Sequence, residues 1–185
     1  MLGFPLRWPS GLPVNWVFRE ATCATSIVVV TTQHTTASTA STVGTSTVTE
    51  LTGDDTALAY DALRELRPHL ASVDEFVELV RVQRREGYRL AASFGADGRV
   101  AAVAGFRRIT NLHAGPHLHV DDLSTLPSAR RQGHAAALLR WVDEEARRLG
   151  CAGVHLDSGT QRHGAHRLYL GAGYVIPAFH FSKAL

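Results

Sequence analysis

The chain has 185 residues, 45% hydrophobic and 19% charged, with a formal net charge of +2. This is enough for one core of ordinary size, and basic and acidic residues mix along the chain, as in Arg64-Glu65-Arg67, with no aromatic platform for stacking, so no nucleic-acid partner is expected. Cys23 and Cys151 form neither a disulfide framework nor a metal pattern, so a reducing cytoplasm is the expected location.

Residues 1–47 carry only Arg7, Arg19 and Glu20, and a Thr/Ser-rich run from Thr22 to Thr49 lacks charge and periodicity. Such a segment cannot bury enough apolar surface to offset its ordering entropy, so it reads as a poorly ordered N-terminal extension. Pro5, Pro9, Pro13 and Asn15 interrupt every run that would serve as a secretory signal, and Ile27–Val30 is too short to cross a bilayer. No membrane partner is expected.

From residue 48 the pattern changes. Val48–Leu51 reads as a short strand, and Asp54-Asp55-Thr56 caps a helix over Ala57–Leu66 that Pro68 ends. Ser72-Val73-Asp74-Glu75 is a capping box opening a second helix with Phe76, Leu79 and Val80 on its apolar stripe. Two strands, Tyr88–Phe94 and Arg99–Phe106, flank the turn Gly95-Ala96-Asp97-Gly98, and a third, Leu118–Ser124, follows. A helix from His134 to Leu149, stopped by Gly150, precedes a strand at Gly153–Asp157 and a last helix near Arg162–Leu170.

Arg130-Arg131-Gln132-Gly133-His134-Ala135 joins the third strand to the longest helix. A glycine-containing loop opening directly into a helix leaves several backbone N–H groups without partners, and the helix dipole adds partial positive charge where they converge. A pyrophosphate fits there. The spacing Arg-x-x-Gly-x-Ala, followed by strand, helix and the run Tyr169-Leu170-Gly171-Ala172-Gly173-Tyr174, resembles the acyl-CoA signature and C-terminal half of the GNAT superfamily of N-acetyltransferases.

The resemblance covers residues 48–185 and implies the GNAT fold, an α/β architecture: a central mixed, largely antiparallel, splayed β-sheet flanked by about four helices. It implies acetyl-CoA as co-substrate, contacted by Leu123, Ser124 and Thr125 and by Arg130 to Ala135, and an acceptor that is a small-molecule or peptide amine. A homodimer is compatible with it. The alternative is a catalytically weak acyl-CoA-binding sensor or interaction module on the same fold.

Moving an acetyl group from a thioester to an amine needs a base for the ammonium proton and an acid for the leaving thiolate. On the third strand, alternation puts His117, His119 and Asp121 on one face and Asp122 on the other, unless a bulge resets the register. Asp121-Asp122 is similar to the acidic pair of polyamine-acetylating GNAT members, which implies Asp121 as base and Asp122 as holder of the substrate's cation. His119 lies where other members place a catalytic Glu, and an imidazole titrates near neutrality, so it is the rival base. Tyr169, four residues before Gly173, is the implied acid. Many relatives carry an Asn seven residues before this Tyr, where this chain has Arg162, and a hydroxyl from Asp157-Ser158-Gly159 is the candidate substitute. The implied acceptor pocket draws on Arg67–Ser72 and on Ala178–Ser182 in a last strand pair. No metal site is expected from His113, His117 and His119.

Overall fold

A computed structural model describes residues 47–185, so all but the last residue of the expected extension lies outside the described residues. The strands are β1 (Val48–Leu51), β2 (Tyr88–Phe94), β3 (Val100–Asn111), β4 (Gly115–Thr125) and β5 (Val154–Leu156), and the α-helices are α1 (Tyr60–Arg64), α2 (Val73–Arg85), α3 (His134–Arg148) and α4 (His163–Gly171). They form a sheet in the order β1-β2-β3-β4-β5. The first four strands pair antiparallel, and β5 joins β4 in parallel, the one connection that needs a crossover helix, α3. This is the mixed, largely antiparallel sheet expected.

Period-2 alternation divides the core between two faces. Tyr88, Leu90 and Ala92 of β2 pack with Tyr60, Leu63, Phe76 and Val80 of α1 and α2, while Ala91, Ala104, Phe106, Leu118 and Val120 pack with Leu138, Val142 and Ala146 of α3. On the α3 side, Arg89 bonds Glu50 and Glu145, and its guanidinium stacks 5.0 Å from the Phe106 ring. Arg148, and then Arg89, hold the Glu145 carboxyl down at about 2, against the upward pull of burial.

The capping box is present in altered form. Ser72 Oγ accepts from the Glu75 N–H at 3.1 Å, whereas the Glu75 carboxylate reaches back one residue beyond the cap, to the Ala71 N–H at 2.9 Å. The first expected helix is tighter than foreseen: Gly53–Ala59 is a 3₁₀ turn, and only Tyr60–Arg64 is α-helical. Its N-cap, Thr52, makes no side-chain bond, so the first turn lacks the contact that would set α geometry. β3 runs on to Asn111 because its ladder with β4 continues to Gly115. Among the described residues no strand follows β5, and the expected last pair is replaced by irregular chain after Gly171 with Val175, Ile176, Phe179 and Phe181 exposed. Pro177 in the middle of that segment cannot donate to a ladder.

Candidate active site

β4 carries a bulge at Asp121. The register passes from Gly105↔Asp122 to Phe106↔Val120, leaving Asp121 as the extra residue. The bulge resets the alternation: Leu118 and Val120 point to the α3 core, while Asp122 reaches Tyr88 and Arg67 on the opposite face. Pairing of β4 with β5 stops at the same level, with Val120↔Leu156 as the final pair. Beyond it the two strands part, and a cleft of about 1680 Å³ opens whose walls include Arg67, His119, Asp121, Asp157, Tyr169 and Tyr174. That exceeds the roughly 300–1000 Å³ of a single small-molecule pocket.

Both members of the acidic pair have partners. Arg107 Nε donates to Asp121 Oδ2 at 2.7 Å. Asp122 accepts from Arg67 Nε at 2.9 Å on one oxygen and from the Tyr88 hydroxyl at 3.0 Å on the other. Burial, followed by the neighbouring Asp122 carboxylate, raises the Tyr88 phenol well above its ordinary range, so it stays a donor. Tyr88 can cross the strand only because Gly105 has no side chain: a Cβ there would lie 1.8 Å from the Tyr88 hydroxyl.

His119 is differently placed. Its Nε2 is 3.9 Å from Asp121 Oδ1 and 3.8 Å from Asp157 Oδ2, near two carboxylates but beyond hydrogen-bond distance of either. His117 is buried, bonds the Gly115 carbonyl through Nδ1 at 3.0 Å and stacks on His155 with ring centroids 4.3 Å apart. Burial lowers the His155 pKa, with further lowering from His117, His119 and His113. Both β4 histidines line the cleft, but His117 is buried with its Nδ1 engaged, whereas the His119 side chain is 23% exposed.

The loop before α3 has the form of an anion cradle. Arg131 (φ 62°) and Gly133 (φ 90°) are both left-handed, a conformation glycine adopts freely and arginine does not. Such alternation turns successive N–H groups toward one point. Among the described residues, no oxygen accepts from the N–H groups of Arg131 to Ala135, α3 has no acidic residue in its first turn and its cap makes no side-chain bond. The space above Gly133 is open, with nothing within 4 Å of a Cβ placed there. These features fit a pyrophosphate. The His134 side chain does not share in it: its Nδ1 is bonded to Ser93 Oγ at 2.9 Å beneath the helix, leaving only its backbone N–H for a ligand. Ser124 likewise has its hydroxyl on the Ala62 carbonyl. Arg130 spans from the Thr125 carbonyl toward Glu65, and the Gln132 amide bonds the Ser128 carbonyl.

Tyr169, on α4, lines the cleft with its ring 5.9 Å from that of Tyr174. Burial raises its phenol above the ordinary value, a shift that Arg162 opposes, so the proton is in place at neutral pH. Two shielded polar atoms on the cleft wall, Ser158 Oγ and Tyr174 Oη, have no partner among the described residues. Buried polar atoms are nearly always satisfied, so these two hydroxyls stand out as exceptions in the cleft wall. Ser158 is the hydroxyl the sequence offered in place of the missing Asn. The roles of Arg67, Arg107 and Tyr88 were not foreseen; Gly105, inside an otherwise apolar strand, was the available signal of a close approach.

The chain matches the model of the Acetyltransferase (GNAT) family over residues 56–174. It is 31% identical over 131 residues to the uncharacterized N-acetyltransferase YhdJ of Bacillus subtilis (strain 168), covering 70% of this chain and 92% of the relative. It is 39% identical over 82 residues to the aminoalkylphosphonate N-acetyltransferase of Salmonella typhimurium, covering 40% of this chain and 53% of that protein. Among solved structures, AAC(6')-Iy in complex with the bisubstrate analogue CoA-S-monomethyl-acetylneamine aligns over 77% of this chain and 100% of its own, with TM-score 0.64 and 14% identity, a likeness of fold alone. The chain belongs to the GNAT family of acetyltransferases and is an acyltransferase.

Proposed function

We propose that residues 48–185 transfer the acetyl group of acetyl-CoA directly to a small primary amine, with His119 as general base and Tyr169 as general acid. The observation that carries this reading is the shared cleft at the parting of β4 and β5, lined both by an imidazole free of hydrogen-bonded partners and by a phenol that burial keeps protonated. Asp121 and Asp122, engaged by Arg107 and Arg67, lie at the bulge beside His119. Loss of their partners would be needed before either carboxylate served as base or as cation holder. The small-amine acceptor is supported by the Salmonella relative, an aminoalkylphosphonate N-acetyltransferase, and by the acetylneamine analogue held by the solved neighbour. The low cysteine count, with Cys151 free, supports a cytoplasmic setting.

Acetyl-CoA supplies an activated thioester, and the protein's part is to hold it and move protons. The N–H groups of Arg131 to Ala135 take the pyrophosphate, and Ser158 and Tyr174 offer hydroxyls to the arm that follows. His119 Nε2 removes a proton from the ammonium, the nitrogen lone pair forms the C–N bond, and the C–S bond breaks as Tyr169 protonates the sulfur. Of the two protons left on nitrogen, one passes to the phenolate and the other stays on the amide, so the cycle releases one proton to solvent from His119.

Gly133→Glu puts a side chain and a negative charge into the cradle, at a φ of 90° that side chains rarely adopt. Its affinity for acetyl-CoA should fall at least tenfold, about 1.4 kcal/mol, by calorimetry. Unchanged affinity would remove the loop from the binding site. Deletion of residues 1–46 should shift the melting temperature by only a few degrees and leave acetyl-CoA binding intact, because that segment carries little charge and no apolar periodicity. The direct test of the activity is CoA release on incubation with acetyl-CoA and a panel containing 2-aminoethylphosphonate, ethanolamine and spermidine. Equimolar CoA and N-acetylamine are expected from at least one. Tight acetyl-CoA binding without turnover of any would favour the sensor reading.

A further inference from the structure

We propose that Asp157, at the end of β5, is the carboxylate that receives the acceptor's ammonium and presents it to His119; the proposal rests on His119 being the base. Three carboxylates lie around this imidazole or in its strand, and their surroundings differ. Asp121 is held by Arg107, and Asp122 by both Arg67 and Tyr88, with side chains only 25% and 11% exposed. A substrate cation would have to displace a guanidinium to reach either. Asp157 is 56% exposed, just past the last β4–β5 pair, and among the described residues its charge-bearing partners are imidazoles: His119 Nε2 at 3.8 Å and His180 Nδ1 at 3.3 Å.

One ammonium nitrogen can bridge the two acceptors once they open slightly. Two hydrogen bonds of about 2.9 Å leaving a tetrahedral ammonium span roughly 4.7 Å. The 3.8 Å between Asp157 Oδ2 and His119 Nε2 is about 0.9 Å short of that span, so the exposed aspartate side chain has to swing away from the imidazole to admit the nitrogen. The ammonium donates one N–H to Asp157 and a second to His119. The second proton moves to Nε2, Asp157 stays ionised, and the neutral amine is left with its lone pair toward the thioester. One carboxylate serves one ammonium, since its two neighbours on β4 are already neutralised. The acceptor class that follows is a monoamine, with no requirement for the second cationic centre of a polyamine.

In steady-state assays with 2-aminoethylphosphonate and with spermidine as acceptors, Asp157→Asn should raise the amine KM at least tenfold. It should leave the KM for acetyl-CoA unchanged and kcat within about threefold of the parent, and Asp157→Glu should recover most of the loss. An unchanged amine KM overturns the proposal. So does a fall in kcat at constant KM, which would mean that Asp157 acts on His119 and not on the substrate. If Asp157→Asn is silent while His119→Gln abolishes turnover, the ammonium site is wrong and the base stands; if His119→Gln is silent too, the base assignment itself falls. Should neither amine turn over, the His119 ring signals in NMR on titration with ethylammonium chloride decide. They should move in the parent and stay fixed in Asp157→Asn, and equal movement in both overturns the site.

Discussion

His119→Gln is expected to lower kcat roughly 10²–10³-fold, the usual contribution of a positioned base, while acetyl-CoA affinity stays within twofold of the parent. Gln fills nearly the same volume and keeps the strand's polar character, so the change isolates the ring nitrogen. Tyr169→Phe retains the packing against Tyr174 and removes only the donor; kcat should drop about tenfold or more. Asp121→Asn should cost less than His119→Gln, because that carboxylate is already held by Arg107 at 2.7 Å. If Asp121→Asn abolishes turnover and recovers at high pH while His119→Gln is silent, the aspartate is the base and the imidazole is structural. CoA release under saturating acetyl-CoA across the three variants separates these outcomes.

Gly105→Ala should be the most damaging single methyl in the sheet. Its Cβ would lie 1.8 Å from the hydroxyl and 2.4 Å from Cζ of Tyr88, whose ring is buried and whose hydroxyl bonds Asp122 at 3.0 Å. To admit the methyl, Tyr88 must leave its place, and Asp122 then loses one of its two partners. Overpacking together with a less satisfied buried carboxylate amounts to about 3 kcal/mol. In a domain of this size the melting temperature should fall by roughly 6–12 °C, read by circular dichroism. Tyr88→Leu in the same background should restore part of the loss by clearing the space. An alanine tolerated within a degree or two would show that the Tyr88–Asp122 contact does not fix this part of the bulge.

Much of the fold was legible because each element carries its own local signal. The Ser72 cap, the Gly95–Gly98 turn and the α3 stripe of Leu138, Val142 and Ala146 are short-range patterns, and all three are in place. The bulge was anticipated only as a condition, since nothing in Val120-Asp121-Asp122 says which residue is skipped; that is decided by Gly105, Arg67 and Tyr88 from elsewhere in the chain. Residue types alone made the acidic pair look available. Its engagement by Arg107 and Arg67 is a long-range fact, between residues 14 and 55 positions apart, that no spacing rule reports. His134 gave the opposite lesson: its position in the loop motif suggested a ligand contact, yet its imidazole serves the core through Ser93. The C-terminal segment looked like a strand pair by family likeness, but Pro177 and the exposed Phe179 and Phe181 leave it irregular in this structure.

Intact-mass spectrometry after mixing the protein with acetyl-CoA carrying a labelled acetyl group, with and without an amine, tests direct transfer most plainly. The account predicts that the protein alone gains no acetyl group, and that with amine present the label appears on the amine nitrogen together with one equivalent of free CoA. A protein one acetyl group heavier in the absence of amine, cleared when the amine is added, would mean a covalent acetyl-enzyme and would contradict direct attack assisted by His119 and Tyr169.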